Sequence, residues 1–305
     1  MRSLKYILPL CLLFATGCNQ EDMGGETEPK EILLGIDGVS SGAKAVTTRA
    51  AIDKWDETVV SIAYAFGSPV LFDKALTVTI ADDQVKHINT GMEYPADGNT
   101  ASFVGYHPAK TPNEQGIVGY DLSAGDQDVM LSNMLSGVQS APISNTMKFE
   151  HKLTRFTFIM KCLPNQSYPE TVHGVRAIAS TAEKLMTYIN VNLNNGNLNF
   201  SFPGQVTSSI PEGAVVPQSS ATDYALAFDL MLQPQVPVGF EIITLTDVKQ
   251  FSASPELVTL LGIGGEAGKQ YTIRLWFSGE GIIADGISIT PWTDVVTAAS
   301  GGTWW

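Results

Sequence analysis

Charge is scarce in this chain of 305 residues. Only 16% of them are Asp, Glu, Lys or Arg, against roughly 25% in soluble globular domains. What charge there is leans one way, 31 acidic residues to 18 basic, for a formal net charge of −13. That acidity argues against a nucleic-acid binder, because a phosphate backbone selects clustered Lys and Arg. Cysteine is limited to Cys11, Cys18 and Cys162, too few for a disulfide scaffold. The four histidines, His87, His107, His151 and His173, fall in no metal-binding spacing. There is no Gly-x-Ser-x-Gly elbow and no phosphate loop, and Gly262-x-Gly264-Gly265 has neither the spacing nor the Lys of one. Asp121, Asp126 and Asp128 share one stretch but do not match a calcium loop, and read as a solvated acidic turn. These absences leave no enzyme, metal or cofactor to be expected. No long amphipathic helix pattern is seen either.

The N-terminus is distinctive. Arg2 and Lys5 precede an apolar stretch from Ile7 to Ala15, interrupted by Pro9. That stretch is far short of the ~20 residues needed to span a bilayer, and has the shape of a secretory signal. It ends in Ala15-Thr16-Gly17-Cys18, which resembles a bacterial lipobox, in which the Cys is acylated and becomes the new N-terminus. The acidic run Asn19-Gln20-Glu21-Asp22 resembles the surface-export signal of Bacteroidetes lipoproteins. Loss of residues 1–17 removes Arg2 and Lys5 and takes the net charge from −13 to −15. Such a body is repelled by anionic membrane surfaces, so the anchor would have to come from acyl chains. Cys162 then has no intramolecular partner. It follows Phe156, Phe158 and Met160 at period two and reads as a buried apolar side chain.

The rest is strands and turns, rich in Gly and Pro. Ile32 to Ile36 is a short apolar run. Val60, Ile62, Tyr64 and Phe66 alternate, as do Leu76, Val78 and Ile80, and Ala101 to Tyr106 reads as another strand. Further alternating sets are Tyr224 to Leu232 and Tyr271 to Phe277. Asn195-Gly196 predicts a two-residue hairpin pairing Leu193 with Leu198 and Val191 with Phe200, with Asn192 and Asn199 on the opposite face. Asp285-Gly286 predicts a weaker one, pairing Ala284 with Ile287 and Ile282 with Ile289. One strand changes phase: Met147, Phe149, His151 and Leu153 are odd, and Phe156 to Cys162 are even, so an irregularity is expected near Thr154-Arg155. The predicted division is a signal over 1–17, a tether over 18–31, an N-terminal β-sandwich over 32–142 and a C-terminal β-sandwich over 143–305. Of the five tryptophans, Trp55, Trp276, Trp292, Trp304 and Trp305, Trp276 is expected to face outward, where it could stack on a sugar.

Several segments, in this order and spacing, resemble the fimbrillin family, the Mfa-like and FimA-like subunits of the type V pili of Bacteroidetes. They are Tyr94-Pro95-Ala96-Asp97-Gly98 leading to Phe103-Val104-Gly105-Tyr106-His107-Pro108, then Asp128-Val129-Met130, then Phe149 to Phe156, Gly268-Lys269-Gln270-Tyr271 and Ile289-Thr290-Pro291-Trp292. The resemblance implies an all-β fold of two tandem transthyretin-like β-sandwich domains. It also implies export as a lipoprotein through Cys18 to the outer membrane and cell surface, cleavage of an N-terminal segment by an Arg-specific protease, and assembly with other pilin subunits by strand exchange. Ile32 to Ile36 is then the candidate removable strand, Arg49-Ala50 the candidate processing site, and Thr293 to Trp305 a candidate donor interrupted by Ser300-Gly301-Gly302. The alternative is a surface lipoprotein that binds a glycan or another host or bacterial surface ligand without polymerising.

Overall fold

The computed structural model describes residues 30–37, 56–82, 87–180, 182–218 and 226–292. Cys18, Arg49, Ala50, Trp55 and the stretch 293–305 lie outside the described residues. In chain order the first half holds β1 (Glu31–Ile36), β2 (Asp56–Phe66), β3 (Lys74–Asp82), β4 (His87–Glu93), β5 (Ala101–His107), β6 (Ile117–Asp121), β7 (Met130–Ser132) and β8 (Leu135–Gly137). Next come β9 (Thr146–Met147), β10 (Phe149–His151), β11 (Thr154–Cys162), β12 (Thr171–Ala179), β13 (Met186–Asn192), β14 (Leu198–Pro203) and β15 (Val206–Val215). The chain continues with β16 (Leu226–Leu232), β17 (Val238–Thr244), β18 (Val248–Lys249), α1 (Pro255–Ile263), β19 (Lys269–Ser278) and β20 (Gly281–Pro291). The fold is all-β apart from this one helix among the described residues, and none of their helices is long and apolar enough to cross a membrane.

The first half is built in three layers. Its middle sheet runs β10-β7-β5-β2-β3, with β8 also on β5. Alternation along β2 sends Val60 and Ile62 to one face and Ala63 and Ala65 to the other. Both faces are covered, so β5 is buried at six successive positions. The small sheet β4-β1-β9 packs on the Val60 side, through Ile32, Leu34, Ile88 and Met147. The sheet β14-β13-β6 packs on the Ala63 side, through Val118, Tyr120, Ile189 and Val191. The hairpin β13-β14 therefore comes from late in the sequence to cover a sheet formed early.

The second unit is a β-sandwich of two four-stranded sheets, β16-β11-β19-β20 and β15-β12-β17-β18. Phe156, Phe158, Phe228, Tyr271 and Phe277 face Val175, Phe240 and Ile242 across its core. β11 pairs with β16 antiparallel and with β19 parallel, which leaves its backbone paired on both sides. The helix α1 was not foreseen, although its signals are in the sequence. Ser254 caps it by accepting a hydrogen bond from the Leu257 N–H at 3.3 Å, Pro255 opens it, and Leu257 and Leu261 plug the end of the core.

The expected phase break exists, and lies at Lys152-Leu153, where β10 of the middle sheet gives way to β11 of the sandwich. The Lys152 N–H donates to Val129 O (2.8 Å) in the first unit, and Leu153 O accepts from the Gly268 N–H (2.9 Å) in the second. Leu153, Met231 and Trp292 join the Ala63-side core, so apolar packing is continuous from one unit to the other.

Both hairpin predictions need correction. β13 and β14 pair Val191 with Leu198 and Ile189 with Phe200, a shift of two residues from the expected register. The loop is Leu193 to Gly196, closed by the Asn192 N–H donating to Asn197 O (2.9 Å). Tertiary contacts enlarge it. The Leu193 N–H donates to Gly116 O, the Phe72 N–H donates to Asn194 Oδ1, and Asn194 Nδ2 donates to Gln115 O. A shift of two preserves the faces, so the predicted inward set stays inward. Asp285-Gly286 is not a turn. β20 is one strand along β19, Arg274 opposes Gly286, Leu275 opposes Ala284, and Asp285 is the extra residue of a bulge. The turn lies earlier, between Ser278 and Gly281.

Candidate functional site

β1 reads as a strand because every second residue is aliphatic, and the structure uses that alternation fully. Ile32, Leu34 and Ile36 are buried on the middle sheet, while Leu33 on the other face is 49% exposed. Beneath them lie Val60, Ile62, Ile80 and Phe103. Burying three such side chains contributes on the order of 6 kcal/mol.

β1 is the central strand of its sheet. It pairs antiparallel with β4 (Leu33 opposite Asn89, Gly35 opposite His87) and parallel with β9 (Gly35 opposite Thr146, Ile36 opposite Met147). Gly35 permits the parallel approach, because a Cβ there would stand 2.8 Å from Thr146 Cγ2. The Tyr94 N–H donates to Lys30 O (3.1 Å), the Asp37 N–H donates to Met147 O (3.0 Å), and Thr90 Oγ1 donates to Ile32 O (2.9 Å). Lys148 and Asp37 approach to 3.7 Å, but both are well exposed and the pair contributes little. Taking β1 away would bare an apolar floor and the unpaired backbone edges of β4 and β9. That combination is what an added strand would fill.

The segment Phe149 to Phe156 builds two buried polar groupings. His151 Nδ1 and Asp128 Oδ1 lie 2.7 Å apart, both buried, and the imidazole stacks on Trp292 with ring centres 4.1 Å apart and planes 6° apart. Asp128 is thus not part of a solvated acidic turn, whereas Asp121 is exposed. His107 is nearby. Burial holds its imidazole below the usual histidine value, partly opposed by its hydrogen bond to Val59 O (2.9 Å). His151 is itself buried against the Trp292 indole, a setting that orders the junction between the two units.

The second grouping lies on the face of β11 turned away from the sandwich core. Arg155 Nη2 donates to Asp229 Oδ2 at 2.9 Å and its Nε to Asp229 Oδ1 at 3.2 Å. Thr157 Oγ1 donates to Asp229 Oδ1 (2.6 Å), and Gln270 Nε2 donates to Thr157 Oγ1 (3.3 Å). All four are buried. Sequence reasoning missed this cluster. Its one signal was Arg155 at the head of the apolar and Thr-bearing run Thr154 to Met160.

Other sequence expectations are placed as follows. Cys162 is buried at 0% exposure in the sandwich core, and burial pushes its thiol pKa up. Trp276 does not face solvent. It is 7% exposed, and its Nε1 donates to Asp285 Oδ2 (3.1 Å) at the bulge. Trp292 is buried. Among the described residues no group of three or more His, Cys, Asp or Glu is placed to hold a metal ion.

Comparison with curated proteins finds no match. Among solved structures, the fold is similar to a proposed cell adhesion protein of Bacteroides uniformis at 14% identity, with a TM-score of 0.57, covering 88% of this chain and 100% of that one. It is also similar to one of Bacteroides ovatus at 14% identity, with a TM-score of 0.53, covering 87% of this chain and 98% of that one. At these identities the likeness speaks to the fold. The sequence itself matches the model described as Fimbrillin-like over residues 48–292, and the chain therefore belongs to the fimbrillin-like family.

Proposed function

We infer that the protein is a subunit of a cell-surface fimbrium, a structural or a tip and accessory pilin, that supports adhesion and has no enzymatic role. In this reading it is exported as a lipoprotein acylated at Cys18 and anchored in the outer membrane. It is then cut after Arg49 and assembled with other subunits by exchange of β1 for a neighbour's strand. The observation that carries the reading is the seating of β1. It is a central strand with three buried side chains, yet the chain joins it to β2 only through residues 37–55, which include Arg49-Ala50. One cut there converts an integral strand into a bound peptide.

The test is to isolate the native protein, determine its N-terminus by mass spectrometry, and treat the precursor with an Arg-specific protease. The expected outcome is an N-terminus at Ala50 and conversion of monomer to SDS-resistant ladders. A cleaved protein that remains monomeric at high concentration overturns the strand-exchange role. Acylated Cys18 with no cleavage leaves an anchored surface protein.

A further inference from the structure

The outer face of β14-β13-β6 has a composition that neither the fold nor the assembly reading uses. Register places Tyr188 opposite both Ser201 and Asp121, and Asn190 opposite both Asn199 and Gly119. These residues point away from the core, since Ile189, Val191, Val118 and Tyr120 fill the other face. Tyr188 leans across the sheet into the space above Gly119. A Cβ at Gly119 would stand 2.8 Å from Tyr188 Cζ and closer still to its hydroxyl, so only glycine admits the ring there.

Phe202 meets Tyr188 edge-on, with ring centres 5.6 Å apart and planes at 78°. It is 66% exposed and its φ is +58°, a left-handed conformation that is costly for a bulky side chain. Strain of this kind, at a residue with no core to fill, is the sort of outlier that marks functional positions. The polar groups beside this corner are also unused. Ser201 Oγ is buried with no partner, and the Asn190 and Asn199 amides hydrogen bond to no protein group among the described residues. Asp121 is the single charged side chain at these register positions.

We propose that this face binds a neutral oligosaccharide: a pyranose ring stacks in the corner between Tyr188 and Phe202, and the Asn190 and Asn199 amides pair with its hydroxyls. Aromatic rings offer an apolar face to the C–H side of a sugar, and each amide carries both a donor and an acceptor to match vicinal hydroxyls. The charge favours a neutral ligand: Asp121 is offset at this edge by Lys110, whose Nζ donates to Gly119 O (2.7 Å), which leaves no net cationic grip for an acid, and the body, at −15 once residues 1–17 are gone, repels sialylated or sulfated chains. A shallow platform binds weakly at a single site, and repetition along a fibre would raise its avidity. The proposal does not depend on strand exchange and stands for a monomer as well.

The test prints neutral oligosaccharides terminating in mannose, galactose or N-acetylglucosamine beside sialylated and sulfated ones. The full mature chain is assayed as wild type, Tyr188→Ala, Asn190→Ala with Asn199→Ala, and Phe202→Gly. Phe202→Gly removes the ring while relieving the positive φ, so it keeps the fold, as an unchanged or higher unfolding midpoint will show. The expected result is retention on neutral glycans, with affinity for the best of them reduced about tenfold or more in each variant, as loss of a contact worth ~1.4 kcal/mol gives. Three results overturn the proposal: no retention on any neutral glycan, retention of acidic glycans only, or retention unchanged in Phe202→Gly. Dimerisation that Phe202→Gly abolishes, without glycan binding, also overturns it and assigns the face to a protein contact.

Discussion

Arg155 and Asp229 meet as a two-point ion pair, Nη2 to Oδ2 at 2.9 Å and Nε to Oδ1 at 3.2 Å, with both side chains almost wholly removed from solvent. A buried pair of this kind is of modest net value when intact, but removing one partner leaves an uncompensated charge. Asp229→Leu or Arg155→Met alone should cost about 3–5 kcal/mol of stability. The double change Arg155→Met with Asp229→Leu should recover much of that loss. Urea unfolding of the four chains checks both statements as a double-mutant cycle.

β1 offers a test within one strand. Leu34 is buried and Leu33 is half-exposed, one residue apart. Leu34→Ala should destabilise by about 2–5 kcal/mol, the cost of a cavity in a packed core. Leu33→Ala should change stability by no more than about 0.5 kcal/mol. After proteolysis between β1 and β2 at a dilution where no ladder forms, the β1 peptide should remain bound in native mass spectrometry, and Leu34→Ala should release it.

Acid should weaken the fold through His107. Burial lowers its folded pKa below the ordinary 6.5, although the hydrogen bond to Val59 O and the charge of Asp128 oppose the shift. The unfolded chain therefore binds the proton more readily than the folded one. The stability tied to neutral His107 is complete above 6.5 and is lost as pH falls from there through the folded value. Unfolding midpoints between pH 7 and 5 should fall in the wild type, and fall less in His107→Gln.

Cys162 is fully buried in the sandwich core. In a chain begun after residue 18 it is the one thiol left. Its reaction with a thiol reagent should be slow at neutral pH and should follow global unfolding as denaturant is added.

Much of this architecture was legible because alternation is a local signal. Ile32, Leu34 and Ile36, or Phe156, Phe158 and Met160, can face a core only as strands, and they do. What was not legible depended on distant partners. Asn195-Gly196 marked a turn correctly, but contacts from Asn194 to Phe72 and Gln115 set the loop length. Asp285-Gly286 has the dipeptide of a hairpin turn, yet Trp276 and Arg274 hold it within a continuous strand as a bulge. Trp276 was expected outside because alternation gives only a face, and this sheet is buried along much of both faces. The β1 side of the candidate site was readable from its alternating aliphatics. The face bearing Tyr188 and Phe202 was readable only in part. Asn192 and Asn199 were expected to turn outward, but nothing in the sequence set Tyr188 over Gly119 or placed Phe202 against it.

The three-layered first half carries a mechanical consequence. β2 sends Val60 and Ile62 to one covering layer and Ala63 and Ala65 to the other, so the two layers hold the middle sheet independently. Release of β1 would loosen the Val60 side alone, while β14-β13-β6 packs on the Ala63 side and is tied to the sandwich through Leu153, Met231 and Trp292. The molecule would then open like a book with one cover glued down. The damage would stop at the middle page, and what is bared would be a shaped vacancy.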